Sequence, residues 1–283
     1  MNNNGEAVFV GRDFGGREVI LDPARAARYI AALGHRHPLY ETFAPSLILH
    51  SECYEDLSWY LANIWGNLHA RQEWELFGEA EVGQVVRTRG LIRERYRKRG
   101  RDYVVKETWV QNESGRLLNR SLTHQSFLLP KQDSEGGAVA VDKDREKRSD
   151  RSFEIGGRGR PLSPRQMTVT EEVCMAFSGP TANYHTDRTA AQALGFPDIV
   201  VQGMLPICLL SELLTANYGR GWMAGGKMDV RLVNVLWADE TVSAHAEETS
   251  EVPEADRTRI HLDVWVEKAD GTKVVVGAAS ALR

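Results

Sequence analysis

Histidine is the side chain whose unperturbed pKa lies near neutrality, so it can take and return a proton at ordinary pH. Among the eight histidines, His185 stands in the most informative setting. It ends the polar, turn-forming run Phe177-Ser178-Gly179-Pro180-Thr181-Ala182-Asn183-Tyr184-His185, followed by Thr186 and Asp187. Asp187 is placed to cap a helix over Thr189–Leu194. Gly203 immediately precedes the apolar run 204–218. It allows close backbone approach where a helix would begin and where backbone N–H groups suit an oxygen that gains negative charge. His35 and His37, two positions apart, could hold a metal or supply an acid. Neither a carboxylate nor a cysteine accompanies them at ligand spacing, so no metal site is expected. His50, His69, His124, His245 and His261 show no usable pattern.

The elements that must position these residues fall into two similar halves. Residues 82–128 and 238–282 each read as a strand-rich run, a charged turn, an alternating strand, a glycine turn and a last strand. The alternating strands are YVVKETWVQ and IHLDVWVEK, and the turns are Asn112–Gly115 and Ala269–Gly271. Apolar/polar alternation ending at a glycine turn marks an antiparallel meander. Upstream of each meander lies a run with apolar residues every three or four positions: LILHSECYEDLSWYLANIW in the first half, MLPICLLSELLTANYG in the second. The second run is apolar on most sides and is expected to be buried, stopping near Gly219. A long helix wrapped by an antiparallel sheet, twice over, is an α+β double hotdog. The expected division is 1–131, a charged and glycine-rich linker 132–160, and 161–283 carrying the site.

Composition narrows the function classes. The 283 residues are 42% hydrophobic and 26% charged with a net charge of −4, ordinary for a soluble domain protein. A weakly acidic chain does not suit nucleic acid as its main partner. The basic run Arg93–Arg101 reads as a solvated hairpin, with a phosphate contact as its alternative. No signal core or membrane-length apolar run is visible, and Cys53, Cys174 and Cys208 form no metal or disulfide pattern. A reduced, cytoplasmic setting is expected.

Several segments resemble the MaoC-like hydratase family. Phe177–Asp187 is similar to that family's S-G-D-x-N-P-x-H segment, and Gly195–Met204 to its G-F-x-x-I-V-x-H-G-M segment. The stretch 219–242 resembles the family's return into the sheet, while Ala44–Leu47, Tyr96–Glu107 and Asn112–Arg116 resemble the degenerate first hotdog of two-domain members. The departures are specific: Pro180 stands at the catalytic Asp position, Ala182 and Asn183 at the Asn-Pro positions, and Gln202 at a His position. Ser178, Thr181, Asn183 and His185 fit better the F-S-x-x-T-x-N form of proteins related to mesaconyl-CoA hydratase. Gly34–Tyr40 matches the same template in the first half with Tyr40 at the histidine position, which implies a scaffold that helps form an acyl pocket.

The resemblance implies a hydro-lyase acting on an enoyl or 3-hydroxyacyl thioester of CoA or a carrier protein. His185 and Asn183 would be catalytic, and Ser178, Thr181, Gln202 and Gly203 would contact substrate. No separate cofactor, nucleic acid or membrane is implied, and the expected assembly is a homodimer or larger. The alternatives are a divergent enzyme of a specialised pathway (a thioesterase or unusual dehydratase) and a non-catalytic thioester-binding subunit that needs a MaoC-like partner chain.

Overall fold

The computed structural model describes residues 9–52, 68–98, 100–128 and 153–283. The alternation read in the two meanders becomes six long strands. In the first half these are β3 (Val85–Lys98), β4 (Arg101–Asn112) and β5 (Leu117–Leu128). In the second they are β9 (Thr241–Glu254), β10 (Arg257–Lys268) and β11 (Lys273–Leu282). Each triplet pairs antiparallel in sequence order. The remaining strands are β1 (Asp13–Ile20), β2 (Leu68–Leu76), β6 (Arg160–Pro161), β7 (Arg165–Thr168) and β8 (Lys227–Leu232).

The two halves share one sheet. Its order is β1-β3-β4-β5-β2-β8-β11-β10-β9-β6, with β7 also on β9. The seam is the antiparallel pair β2–β8, running from Arg71↔Arg231 to Glu75↔Lys227. Arg71 grips Asp229 across it through two N–H···O bonds of 2.6 and 2.5 Å.

The helices are α1 (Pro23–Leu33), α2 (Glu171–Ser178), α3 (Arg188–Ala193), α4 (Met204–Tyr218) and α5 (Arg220–Met223), with a 3-10 turn over Pro38–Glu41. Asp187 caps α3 by accepting from Ala190 N–H at 2.6 Å, as its position required. The apolar run 204–218 is α4, and every residue from Met204 to Thr215 is buried. The matching run of the first half lies mostly outside the described residues, as do Cys53, Trp59, Tyr60 and Trp65. No described helix is long and apolar enough to cross a membrane.

The two halves have different interiors. In the second, α4 lies under small and branched side chains of β9–β11: Ala244, Ala246, Leu262, Val264, Ala279 and Ala281. Short side chains let a helix approach the sheet closely. In the first, the strands bury Gln72, Lys106, Thr108, Thr123 and Gln125. Thr123 donates to Gln72 Oε1 at 2.9 Å, and Lys106 Nζ to the Glu52 carbonyl at 3.0 Å. Of the expected linker, residues 129–152 lie outside the described residues. Downstream, the Arg158 and Gly159 N–H groups hold the Glu247 carboxylate, and Arg160 pairs with Glu248.

Candidate active site

Residues 179–187 form a loop that shapes itself. Asn183 spends its whole side chain there, donating to the Thr181 carbonyl at 2.9 Å and accepting from the His185 N–H at 2.8 Å. The Thr186 hydroxyl donates to the same Thr181 carbonyl at 3.0 Å. Asn183 thus sets the loop's shape, an Asx-type role. Thr181 contributes its backbone oxygen, and its side chain is exposed.

The loop fixes His185. Its Nδ1 lies 2.6 Å from the Val200 carbonyl oxygen, which can only accept. Nδ1 therefore carries the proton, and Nε2 is left with a lone pair. Burial pushes the His185 pKa down to about 4, against the opposing pull of the Val200 hydrogen bond. The ring is neutral at ordinary pH, in the tautomer a base at Nε2 requires.

Val200 leads through Val201 into Gln202 and Gly203 at the start of α4, whose N-terminus has no side-chain cap. A Cβ at Gly203 would lie 2.5 Å from Leu232 Cδ2 and 3.2 Å from His69 Nδ1. Gly203 is therefore demanded mainly by the close approach of Leu232 from its own half, with His69 of the first half next nearest; its φ of −58° is ordinary.

Gln202 opens into a cleft of about 280 Å³ between the halves. The second half contributes Phe177, Ser178, Gly179 and Gln202. The first half contributes Arg25, Arg28, Tyr29 and His50. Two of the lining residues, His50 and Gln202, each carry a buried side-chain atom, Nδ1 and Oε1, without a hydrogen-bond partner among the described residues. Each such atom costs about 1–3 kcal/mol unless a ligand or water satisfies it. His50 is stacked on Phe177, with ring centroids 4.1 Å apart and planes at 11°.

The structure therefore brings Ser178, Gln202 and Gly203 to the junction of the halves. His185 bonds the Val200 carbonyl two positions before Gln202 and does not itself line the cleft, while Thr181 and Asn183 serve the loop. Sequence reasoning missed His50 and His69, because no local pattern marks them. It also missed Glu212, a carboxylate of α4 that is 1% exposed. Its Oε2 accepts from Tyr40 Oη at 2.7 Å and from His35 Nδ1 at 2.9 Å. The carboxylate that His35 lacked in sequence thus comes from the other half, while His37 accepts from the Leu39 N–H. Even so, no three His, Cys, Asp or Glu side chains among the described residues cluster as a metal set would. A larger cavity of about 310 Å³ at the β2–β8 seam touches neither the loop nor the start of α4.

Comparison with known proteins agrees with this architecture. The class is the double hotdog. A Mycobacterium tuberculosis protein described as having that fold matches with a TM-score of 0.67 at 17% identity, over 97% of this chain and 96% of its own. A MaoC-like dehydratase from Phytophthora capsici matches with a TM-score of 0.72 at 14% identity, over 99% and 98%. HtdX of Mycobacterium tuberculosis matches with a TM-score of 0.64 at 15% identity, over 93% and 97%. Residues 156–270 match the model of the MaoC like domain family, and the fold of the whole chain is a double hotdog. Comparison with curated proteins by sequence gives no match.

Proposed function

We propose that the protein adds water to, or removes it from, an acyl thioester held at the junction of the halves. The observation that carries this reading is the bond from His185 Nδ1 to the carbonyl of Val200, two positions before Gln202, which leaves a neutral imidazole with its lone pair on Nε2. In hydration, Nε2 takes a proton from water as the water oxygen bonds to the β-carbon. The C=C electrons shift into an enolate of the thioester. The imidazolium then returns its proton to the α-carbon, so one group serves as base and acid. This suits a loop with Pro180 where a second acidic group would stand. The uncapped start of α4 offers N–H groups to the thioester oxygen. Gln202 and Ser178 face the substrate. CoA or a carrier protein arrives as part of that substrate, no separate cofactor takes part, and the working unit is a dimer of double hotdogs.

The test is water addition to a panel of enoyl-CoA thioesters by wild type and His185→Ala. The expected result is activity in wild type and a loss of at least ~100-fold in the variant. Wild-type kcat/KM should hold down to about pH 5 and fall only near pH 4, where His185 protonates. Activity that survives His185→Ala would move the base elsewhere. A folded wild type that hydrates no enoyl thioester, or that only cleaves thioesters, would overturn the reading.

A further inference from the structure

The first half brings a histidine of its own to the cleft. His50 follows Leu49 at the head of the first half's central run, and its imidazole packs face to face on Phe177 of α2. Tyr29 stands beside the pair, with ring centroids 6.0 Å from His50 and 6.3 Å from Phe177. Stacking from the other half fixes the ring plane. His50 is 6% exposed, and its Nδ1 has no partner among the described residues. Gln202 of the other half lines the same cleft, and its Oε1 is likewise without a partner among the described residues. Buried polar atoms of this kind are ordinarily paired. Two residues that line one cleft from opposite halves, each holding such an atom, point to a ligand with complementary polar groups.

We propose that His50 is a catalytic residue, whose Nδ1–H donates to the thioester carbonyl oxygen and holds the enolate while Gln202 Oε1 accepts from the attacking water. The assignment rests on the hydration reading above. Burial, with the Arg25 guanidinium nearby, pushes the His50 pKa down to about 3. The ring is therefore a neutral donor throughout the working range. A neutral imidazole can polarise a carbonyl without transferring its own proton. In the balanced step the proton removed from water passes through His185 to the α-carbon. His50 gains and loses none; it only shortens its hydrogen bond as negative charge builds on oxygen.

Two substitutions separate the donor from the packing. His50→Phe keeps the stack on Phe177 and removes the N–H. His50→Asn keeps an N–H near the Nδ1 position and removes the ring. Each is assayed for enoyl-CoA hydration beside wild type, with circular dichroism and a thermal melt to confirm folding. His50→Phe is expected to lose about 10²–10³-fold in kcat with KM within about threefold, the loss typical of one oxyanion donor. His50→Asn should recover to within about tenfold of wild type, and both should keep the acid limb near pH 4 that belongs to His185. Folded His50→Phe within threefold of wild type, or two folded variants equally impaired, overturns the assignment while leaving the hydration reading standing. A wild type without hydration activity overturns both.

Discussion

His50, His69 and His185 all have pKa values pushed down by burial, to about 3, 4 and 4. In the unfolded chain each protonates near 6.5. Between pH 6.5 and 4 the unfolded state therefore binds more protons, and stability must fall as pH falls. Each histidine adds a slope of up to about 1.4 kcal/mol per pH unit in that window and nothing above it. The urea midpoint should hold from pH 8 to 7 and drop by pH 5. His69→Gln, which keeps a hydrogen-bonding side chain beside Gln72 but cannot titrate, should flatten the drop. A midpoint unchanged between pH 7 and pH 5 would contradict the burial of these rings. At this scale the sequence was readable where chemistry is local. The Asp187 cap follows from neighbours within a few positions, whereas the bond that sets the His185 ring comes from Val200, 15 positions on. His50 and Glu212 were not readable, because their partners Phe177 and Tyr40 lie more than a hundred residues away. Asn183 was expected to be catalytic, and the structure instead shows both ends of its side chain spent within the loop.

The elements were legible because their periods are strong. The alternation in 103–111 and 260–268 marks β4 and β10, and the all-round apolar run marks α4 down to the Gly219 stop. Less legible was how tightly these elements must meet, since close approach is encoded only by single glycines. Gly277 of β11 faces β8, and a Cβ there would stand 2.1 Å from the Asp229 carbonyl oxygen and 2.7 Å from Val230 Cα. Both obstacles are backbone of a paired strand, so neither can rotate away. Gly277→Ala should therefore cost about 1–3 kcal/mol or more, as overpacking does. The same change at Gly115, where nothing stands within 4 Å but φ is +81°, meets backbone strain alone. That strain is worth about 1–2 kcal/mol. Thermal melts of the two variants should rank Gly277→Ala as the less stable. The reverse order would mean that the β8–β11 spacing relaxes. The polar face of the first half was also unforeseen. Lys106, Thr108 and Thr123 alternate as a strand should, but alternation does not say which face is inside.

At the scale of the whole molecule, a repeat in sequence has become one continuous sheet, and this could not be read from either half alone. β2 and β8 each have one neighbour in their own half and reach the other half through the seam. Arg71–Asp229 crosses it on the sheet, and Glu212–Tyr40 and Glu212–His35 cross it beneath. The exposed ion pair contributes at most about 1 kcal/mol, as surface pairs do. The paired backbone of β2–β8 and the burial of Trp74 and Met228 opposite each other hold the seam more strongly than that. Residues 153–283 produced alone would bare the β8 edge and leave Glu212 without Tyr40 and His35. A bare edge strand is a template for pairing with other chains, and a buried carboxylate stripped of its donors strongly disfavours the packed state. The isolated segment should therefore aggregate or melt without cooperativity, and co-expression with residues 1–128 should restore soluble material. The full chain should unfold in one transition, seen alike by tryptophan fluorescence and far-ultraviolet circular dichroism. An isolated segment 153–283 that is soluble and melts cooperatively would show that the seam is a contact between two independently stable hotdogs, and the cleft between them would then be free to open and close as they move.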